Sequence, residues 1–288
     1  MNFQKRLVTW ICLMFSATAL MAQQVSEPKS PAEWSAPTEP FRIAGNLYYV
    51  GTHDLACYLV ATPKGHMLIN TGLADSKALI ARSMKQLGFE MSDIKILLTT
   101  QAHFDHVAAM AAIKKETGAK MLVNQADAAV LADGGASDYA LGGTVSYLPV
   151  NADRLLRDRE IITLGGTVLQ MLHHPGHTKG SASYLLKTKD GKQSYTILIA
   201  NMPSVVTDKP FNAIPEYPEI ATDYQHTLHD MRALRFDIWV ASHASQFGLH
   251  EKRKPGDRYN PARFADRAGY DAALKTLEAA VQKKLTGK

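Results

Sequence analysis

The sequence predicts an α/β fold that forms one domain over residues 41–288. Short apolar, β-branched runs alternate with stretches of helical periodicity, which is the pattern of sheets covered by helices. Polar side chains directly follow three of the apolar runs, at residues 101–106, at His177 and at His243. Side chains from separate strand ends can converge only if those ends share one edge of the sheet system, which is where α/β folds place their sites.

The first third of the chain is predicted to contain four strands and one helix. Ile80, Met84 and Leu87 form an apolar helical stripe, and Gly88 marks the end of that helix. Residues 63–65 have the composition of a turn. The predicted strands are 41–50, 55–61, 67–70 and 94–100, and the predicted helix is 76–87.

The remainder of the chain alternates helices with two predicted β-hairpins. The dipeptides at 165–166 and 190–191 are turn sequences, so the apolar runs on either side of each are expected to pair. Asn124 is predicted to cap a short helix that continues through Leu131. The other predicted helices are 107–117, 220–234 and 270–285, and the other predicted strands are 120–123, 161–164, 167–172, 184–187, 195–200 and 237–241.

Residues 1–22 have the layout of a secretory signal peptide. Lys5 and Arg6 precede an apolar run, and Ala22 supplies a small residue at its end. We expect cleavage after Ala22 and export to the periplasm without membrane attachment; an uncleaved anchor is the alternative. Cleavage removes two of the 32 basic residues and leaves a net charge of +3 against 27 acidic residues. This charge is too small to indicate a nucleic-acid partner.

Residues 23–40 are predicted to form an extended arm. Four prolines surround Trp34 in this segment, and its indole is a candidate to pin the arm to the domain. Of the two cysteines, the mature chain would keep only Cys57, so no internal disulfide can form. The stability of the exported protein must therefore come from its core or from a bound metal.

Residues 101–106 carry the chemistry of a metal site. They place two imidazoles, one carboxylate and one amide within six positions, directly after a predicted buried strand. At 3.6 residues per turn these four side chains cannot share one helix face. A strand end that turns into a helix can bring them together, and such donors suit a divalent metal of the zinc type.

Six donors follow strands, and they divide into two sets of three. Three protein ligands leave one position of a zinc ion open, which is the mark of a catalytic site. A zinc-bound hydroxide is then the expected nucleophile, because zinc lowers the pKa of water from about 15.7 to about 7. The six candidates are Gln101, His103, Asp105, His106, His177 and His243.

Three segments of the sequence resemble the metallo-β-lactamase superfamily: residues 103–106, residues 173–178 and the strand-end His243. The resemblance implies a four-layer αβ/βα sandwich with a two-metal site between the sheets. Gln101, residues 199–204 and residues 241–252 resemble, more narrowly, the GOB-like members of the third subclass of true metallo-β-lactamases. By that resemblance the first zinc is held by Gln101, His103 and His177, and the second by Asp105, His106 and His243.

The chain departs from the usual superfamily pattern at two places. Most members have His where this chain has Gln101, and an amide oxygen is a weaker zinc ligand than imidazole. The second zinc site is therefore expected to be the tighter of up to two. Other branches have a bridging Asp where this chain has Asn201, which cannot supply an anion. Some β-lactamases use Cys nearby, where this chain has Met202.

Several further side chains have both a functional and a structural interpretation. Ser204 either binds a substrate carboxylate or is an ordinary loop hydroxyl, and Thr178 and Ser181 either orient the metal ligands or cap a turn. Asn70 is expected in a turn that supports the metal loop. Four more histidines have structural interpretations. We expect His173 and His174 to pack near a strand end, and His226 and His229 to lie on a solvated helix face.

The resemblance implies zinc-dependent hydrolysis of the β-lactam amide bond in penicillins, cephalosporins and carbapenems, and hence antibiotic resistance. Asp105 would serve as a metal ligand and proton relay, and the partner would be a small-molecule substrate bound by a monomer. Two alternatives remain. One is another metallo-hydrolase of the same fold, such as a lactonase or a thioesterase. The other is an exported metal-binding protein without catalytic activity.

Overall fold

A computed structural model describes residues 25–286 of the chain. The predicted signal peptide, residues 1–22, lies outside the described residues. Within residues 25–286, no helix combines the length and the apolar character that a membrane crossing requires.

Seven strands form the first sheet, in the order of the chain. β1 to β4 pair antiparallel, whereas β4 to β7 pair parallel. The strands are β1 (Phe41–Ala44), β2 (Leu47–Tyr49), β3 (Tyr58–Thr62), β4 (Gly65–Ile69), β5 (Ile94–Leu98), β6 (Lys120–Asn124) and β7 (Arg154–Leu156).

Five strands form the second sheet, in the order β12-β11-β10-β9-β8. Only the β11–β12 pair is parallel. The strands are β8 (Ile161–Leu164), β9 (Thr167–His173), β10 (Ala182–Asp190), β11 (Gln193–Ala200) and β12 (Ile238–Ala241). The α-helices of the described residues are α1 (Ser76–Gln86), α2 (Phe104–Val107), α3 (Met110–Thr117), α4 (Ala128–Ala132), α5 (Ile220–Ala233), α6 (Leu249–Lys252) and α7 (Arg267–Thr286).

The two sheets pack face to face, and helices cover both outer faces. Along β3, Tyr58 and Val60 enter the core between the sheets, whereas Leu59 between them packs under α1 and α3. This alternation is what a period of two residues gives in a strand that is buried on both sides. On the far side, α7 packs on the second sheet through Tyr270, whose ring lies 5.3 Å from that of Trp239. The four-layer αβ/βα sandwich is confirmed.

Most predicted elements are present, but four details of the prediction were wrong. Residues 41–50 form a hairpin rather than one strand, because Gly45 turns the chain with a φ of 56°. The helix predicted at 107–117 begins at Phe104 and is interrupted between α2 and α3. The residue at the N-cap of α4 is Asp127, not Asn124, and strand β7 was missed.

The ends of β5, β9 and β12 lie along one edge of the sandwich, where the sheets meet. The turn before β3 joins them, since Ala56 N donates to Ser242 O and Ala244 N donates to Asp54 O. These backbone bonds connect the first sheet to the end of β12. The polar residues that follow the three strands therefore come together at this edge.

Candidate metal centre

The loop after β5 is held in place from below by Asn70. This residue has a φ of 62°, so it turns the end of β4 toward the loop. Its Oδ1 accepts hydrogen bonds from Thr100 N at 2.8 Å and from Thr99 Oγ1 at 3.2 Å, and its Nδ2 donates to Ala56 O. Asn70 therefore lies directly beneath Thr99 and Thr100, the two residues before Gln101.

Asp105, His106 and His243 bring three ligand atoms together within 4.8 Å of one another. Asp105 Oδ2 lies 3.2 Å from His106 Nε2 and 3.3 Å from His243 Nε2. At neither His106 Nε2 nor His243 Nε2 does the ring point its N–H direction at this carboxylate well enough for a hydrogen bond within the described residues. Burial opposes ionisation of Asp105, but the two imidazoles hold its pKa well below the usual range. An anionic carboxylate therefore faces two imidazole nitrogens.

The ring of His243 is contacted from behind by a residue that sequence reasoning missed. Asp54 Oδ2 lies 3.0 Å from His243 Nδ1, and Asp54 Oδ1 accepts from Ser245 N at 2.9 Å. Burial lowers the pKa of His243, but the carboxylates of Asp105 and Asp54 together raise it to about 9. Asp54 belongs to no recognisable motif, because it lies 189 residues from its partner in sequence.

His103 and His177 form the centre of the other set. His103 Nδ1 lies 3.0 Å from His177 Nε2, with both rings buried. Burial, followed by repulsion from His103, lowers the pKa of His177 to about 3, so this imidazole is neutral. On its other side, His177 Nδ1 donates to Ser204 O at 2.7 Å. Asp138, also missed from sequence, places Oδ2 at 3.3 Å from His103 Nε2.

Gln101 lines the same cavity as these two imidazoles. The residue is buried, and within residues 25–286 its Oε1 has no hydrogen-bond partner. An amide oxygen that is buried without a partner costs on the order of 1–3 kcal/mol unless something outside the protein chain occupies it. The side chain thus has an oxygen donor that is free within the described chain, at the position where the superfamily resemblance implies a zinc ligand.

The turn that carries His177 is fixed by Thr178, Ser181 and Asp127. Thr178 Oγ1 lies 2.9 Å from Ser181 Oγ and donates to Asp127 Oδ2 at 2.7 Å, and Thr178 N donates to Ser181 Oγ. Asp127 Oδ1 also accepts from Gly180 N at 2.7 Å. The two hydroxyls therefore close the turn next to His177 and join it to Asp127, which sequence reasoning had not singled out.

A cavity of about 360 Å³ opens above the two sets. Ser204 lies at its rim with an exposed side chain, and its Oγ is 3.3 Å from His177 Nδ1. No lysine or arginine lines this cavity within the described part of the chain. The lining residues are Trp34, Gln101, His103, Phe104, Asp105, Leu141, His177, Met202, Ser204, Val206, His243, Ser245 and Gln246.

The remaining candidates lie away from the cavity. His174 is fully buried, and its Nδ1 and Nε2 contact Ser183 Oγ at 2.8 Å and Asp230 Oδ2 at 3.3 Å. His173 Nε2 contacts Lys179 O. His226 and His229 are exposed on α5, as expected for a solvated face.

The donor atoms fit a metal of the zinc type. Gln101 Oε1 and His106 Nε2 are both buried and have no hydrogen-bond partner among the described residues. Acceptor atoms that lie 3.0 to 3.3 Å apart, as in both sets, repel one another unless a proton or a cation lies between them. Imidazole nitrogens with one carboxylate are typical zinc ligands.

The sequence pattern of the metallo-β-lactamase superfamily matches residues 51–243. The chain therefore belongs to this superfamily. Within it, the chain is 58% identical to the class B3 di-zinc metallo-β-lactamase LRA-12 from an Alaskan soil metagenome; the match covers 91% of this chain and 100% of that one, with a TM-score of 0.89. It is 54% identical to GOB-18 from Elizabethkingia meningoseptica, over 93% of this chain and 100% of that one, with a TM-score of 0.91.

Curated proteins of the superfamily are more distant. A Bacillus subtilis protein named "Probable metallo-hydrolase YqgX" is 29% identical over 148 residues, which are 51% of this chain and 63% of that protein. The chain thus spans less than two thirds of the length of this curated relative. The resemblance to the third subclass that the sequence motifs indicated is confirmed by the solved structures.

Proposed function

We propose that this chain hydrolyses the amide bond of β-lactams, including penicillins, cephalosporins and carbapenems, and so confers antibiotic resistance. The observation that carries the proposal is the convergence of two donor sets on the floor of one cavity, in a chain 58% identical to a class B3 di-zinc enzyme. Zinc bound by these donors supplies an acidified water and polarises the carbonyl oxygen of the substrate.

The residues around the cavity perform the other tasks of the reaction. Asp105 holds an anionic oxygen between two imidazoles, where it can accept and return a proton during ring opening. Trp34, Phe104 and Leu141 give the cavity apolar walls that suit the ring system of the substrate. With no cation in the lining within the described chain, Ser204 at the rim is the group that we assign to the substrate carboxylate.

We assign up to two zinc ions to the chain. Gln101, His103 and His177 would hold the first ion, and Asp105, His106 and His243 the second. The second set contains an anionic carboxylate, whereas the first depends on a neutral amide oxygen, so the second site should bind zinc more tightly.

The other hydrolases of this fold remain less well supported. Asn201 lies at the end of β11, where its Oδ1 is 3.4 Å from Ser242 Oγ, and it has no charge to bridge two metals. This residue argues against a lactonase or a thioesterase. The open cavity above the donors argues against a protein that only stores metal.

The purified chain should open the ring of a carbapenem, a penicillin and a cephalosporin, as followed by ultraviolet absorbance. A chelator should abolish this activity, and added zinc should restore it. Full activity in metal-free protein, or no activity with zinc, would overturn the proposal. A lactone and a thioester assayed in parallel test the rival hydrolases.

We further propose that the protein acts as a periplasmic monomer after removal of residues 1–22. The layout of the N-terminus supports export, and the modest charge of the mature chain supports a small-molecule partner rather than a nucleic acid. Cell fractionation with mass determination of the mature N-terminus tests export, and light scattering tests the oligomeric state. Recovery in the membrane fraction at full length would indicate the uncleaved anchor.

A further inference from the structure

The carboxylate of Asp54 joins three separate parts of the chain. Its Oδ2 lies 3.0 Å from His243 Nδ1 and accepts from Trp34 Nε1 at 3.2 Å, while its Oδ1 accepts from Ser245 N at 2.9 Å. The side chain is 16% exposed. The backbone of the same residue is also fixed, because Asp54 O accepts from Ala244 N at 2.7 Å. Asp54 therefore has little freedom to rotate away from His243.

This contact determines which nitrogen of His243 faces the metal centre. A carboxylate at Nδ1 holds a proton on that nitrogen, so Nε2, 3.3 Å from Asp105, is the nitrogen left to bind a metal once its own proton is lost. His106, the other imidazole of the same set, has no partner for its Nδ1 within the described residues. Among the described residues, Asp54 is thus the one carboxylate that contacts the outward nitrogen of an imidazole of this set.

Trp34 completes the chain of contacts from the N-terminal arm. Its indole N–H donates to the same Asp54 oxygen, and its ring packs against His243 and Phe104 with centroid distances of 5.5 and 6.1 Å. The arm is fixed here by its backbone as well, because Asp54 N donates to Glu33 O at 3.2 Å. The indole therefore limits both the position of the carboxylate and the tilt of the imidazole.

We propose that Trp34 and Asp54 are positioning residues for the second zinc site and that they set its affinity by fixing the tautomer and orientation of His243. The proposal rests on the proposed zinc chemistry of this site. It makes the N-terminal arm, which contributes no ligand, a part of the metal centre. Removal of a carboxylate that orients a ligating histidine typically weakens metal binding by about 10- to 100-fold.

The test is a zinc titration against a chromophoric chelator for three single variants and one double variant of the mature chain. Asp54→Ala should weaken the second site by about 10- to 100-fold and leave the first site unchanged. Asp54→Asn keeps the side-chain volume and should fall between the parent and Asp54→Ala. Trp34→Phe removes the indole N–H while keeping an aromatic ring, although a smaller one, and should weaken the second site by a few-fold. Because the Trp34 hydrogen bond acts through Asp54, the combined effect in the Trp34→Phe, Asp54→Ala double variant should be less than the sum of the two single effects.

Cobalt substitution gives a readout that general instability does not produce. The visible spectrum of cobalt in the second site should change in Asp54→Asn, because the geometry of its His243 ligand changes. A remote variant serves as the control. Asp190→Asn loses a contact with Arg42. It should keep the parent zinc affinities.

Equal second-site affinity in the parent and in folded Asp54→Asn would overturn the proposal, as would equal weakening of both sites. These outcomes differ from failure of the proposed function. If the parent binds zinc and opens β-lactams while the Asp54 variants bind zinc equally well, only the positioning role is wrong. If the parent itself does not bind zinc, the proposed function and this inference fail together.

Discussion

At the residue scale, the two donor sets differ in charge. Asp105 brings a carboxylate that the surrounding imidazoles keep ionised, whereas Gln101 offers an uncharged amide oxygen. Both side chains are buried and line the same cavity. The chemistry of single residues therefore predicts unequal zinc sites, and single substitutions can test this.

Asp105→Ala should lower kcat/KM for β-lactam hydrolysis by on the order of 10³, about 4 kcal/mol of transition-state stabilisation. The substitution removes the anion between His106 and His243, so the second site loses its charge balance. Steady-state kinetics at saturating zinc measure the effect. Asp190→Asn, remote from the cavity, is the control. A loss below tenfold would remove Asp105 from the site.

Gln101→His should tighten the first zinc site, because it adds a third imidazole beside His103 and His177. The measurement is bound zinc per chain during titration of the parent and the variant. Gln282→His adds a histidine on the exposed surface of α7, which carries no other histidine, and controls for nonspecific binding. Two equally tight sites in the parent, or no gain in the variant, would show that Gln101 does not set the difference.

At the scale of elements, the metal ligands depend on short turns that distant residues hold. The turn between β9 and β10 carries His177, and Asp127 at the start of α4 binds its Thr178 and Gly180. An added Cβ at Gly180 would lie 2.4 Å from Asp127 N, so the two segments pack too closely for a side chain at this position. The proposed first zinc site would therefore depend on the contact between this turn and α4.

The carboxyl of Asp127 should make stability depend on pH. Burial raises its pKa to about 6, against opposing hydrogen bonds from Thr178 and Gly180. Because the folded pKa exceeds the unfolded value of about 3.9, the folded state binds more protons between pH 4 and 6. Protonated Asp127 stabilises the folded state fully below about pH 4. This stabilisation is lost as the pH rises through about 6, and the free energy of unfolding falls by up to about 3 kcal/mol.

Urea unfolding of the parent and of Asp127→Asn, both with chelator, measures this contribution. The free energy of unfolding of the parent should fall relative to that of the variant as the pH rises from 4 to 6. The variant is the matched control, because it has the same shape and no titrating group at this position. A difference that stays flat, or that grows in favour of the parent with rising pH, would contradict the assignment.

At the scale of the whole molecule, the metal centre joins the two halves of the sandwich. Gln101, His103, Asp105 and His106 follow a strand of the first sheet, whereas His177 and His243 follow strands of the second. Each set contains donors from both halves. Bound zinc would therefore stabilise the packing of one sheet on the other as well as the local loops.

Zinc should raise the thermal stability of the mature chain. At a free concentration 1,000 times the Kd, binding to the folded state alone contributes about 4 kcal/mol, or roughly 10 °C in Tm for a domain of this size. Calorimetry with chelator and with increasing zinc measures the shift. The control is the same measurement with a reductant that does not bind zinc. Cys57 is the only free cysteine within residues 25–286, so a reductant should have no disulfide to break and should leave the Tm unchanged. A Tm that does not depend on zinc would contradict a centre shared by both sheets.

The sequence by itself determined most elements and the main donors. Strands were recognisable because short apolar runs rich in β-branched residues favour buried strands over other structures. Turns were marked by glycine pairs such as Gly165 and Gly166. The donors of residues 101–106 were recognisable because they are close in sequence. The ligand assignments themselves came from the superfamily resemblance and remain to be tested by metal binding.

Only the tertiary structure decided which residues support those donors. Asp54, Asp127 and Asp138 are ordinary acidic residues in the sequence, and each contacts its partner across at least 35 positions. Local pattern determines the backbone of an element, because propensity and burial act over a few residues. Asp54 is brought to His243 by the packing of the two sheets, and Asp138 is brought to His103 by the loop that follows α4. No local pattern records either of these long-range contacts.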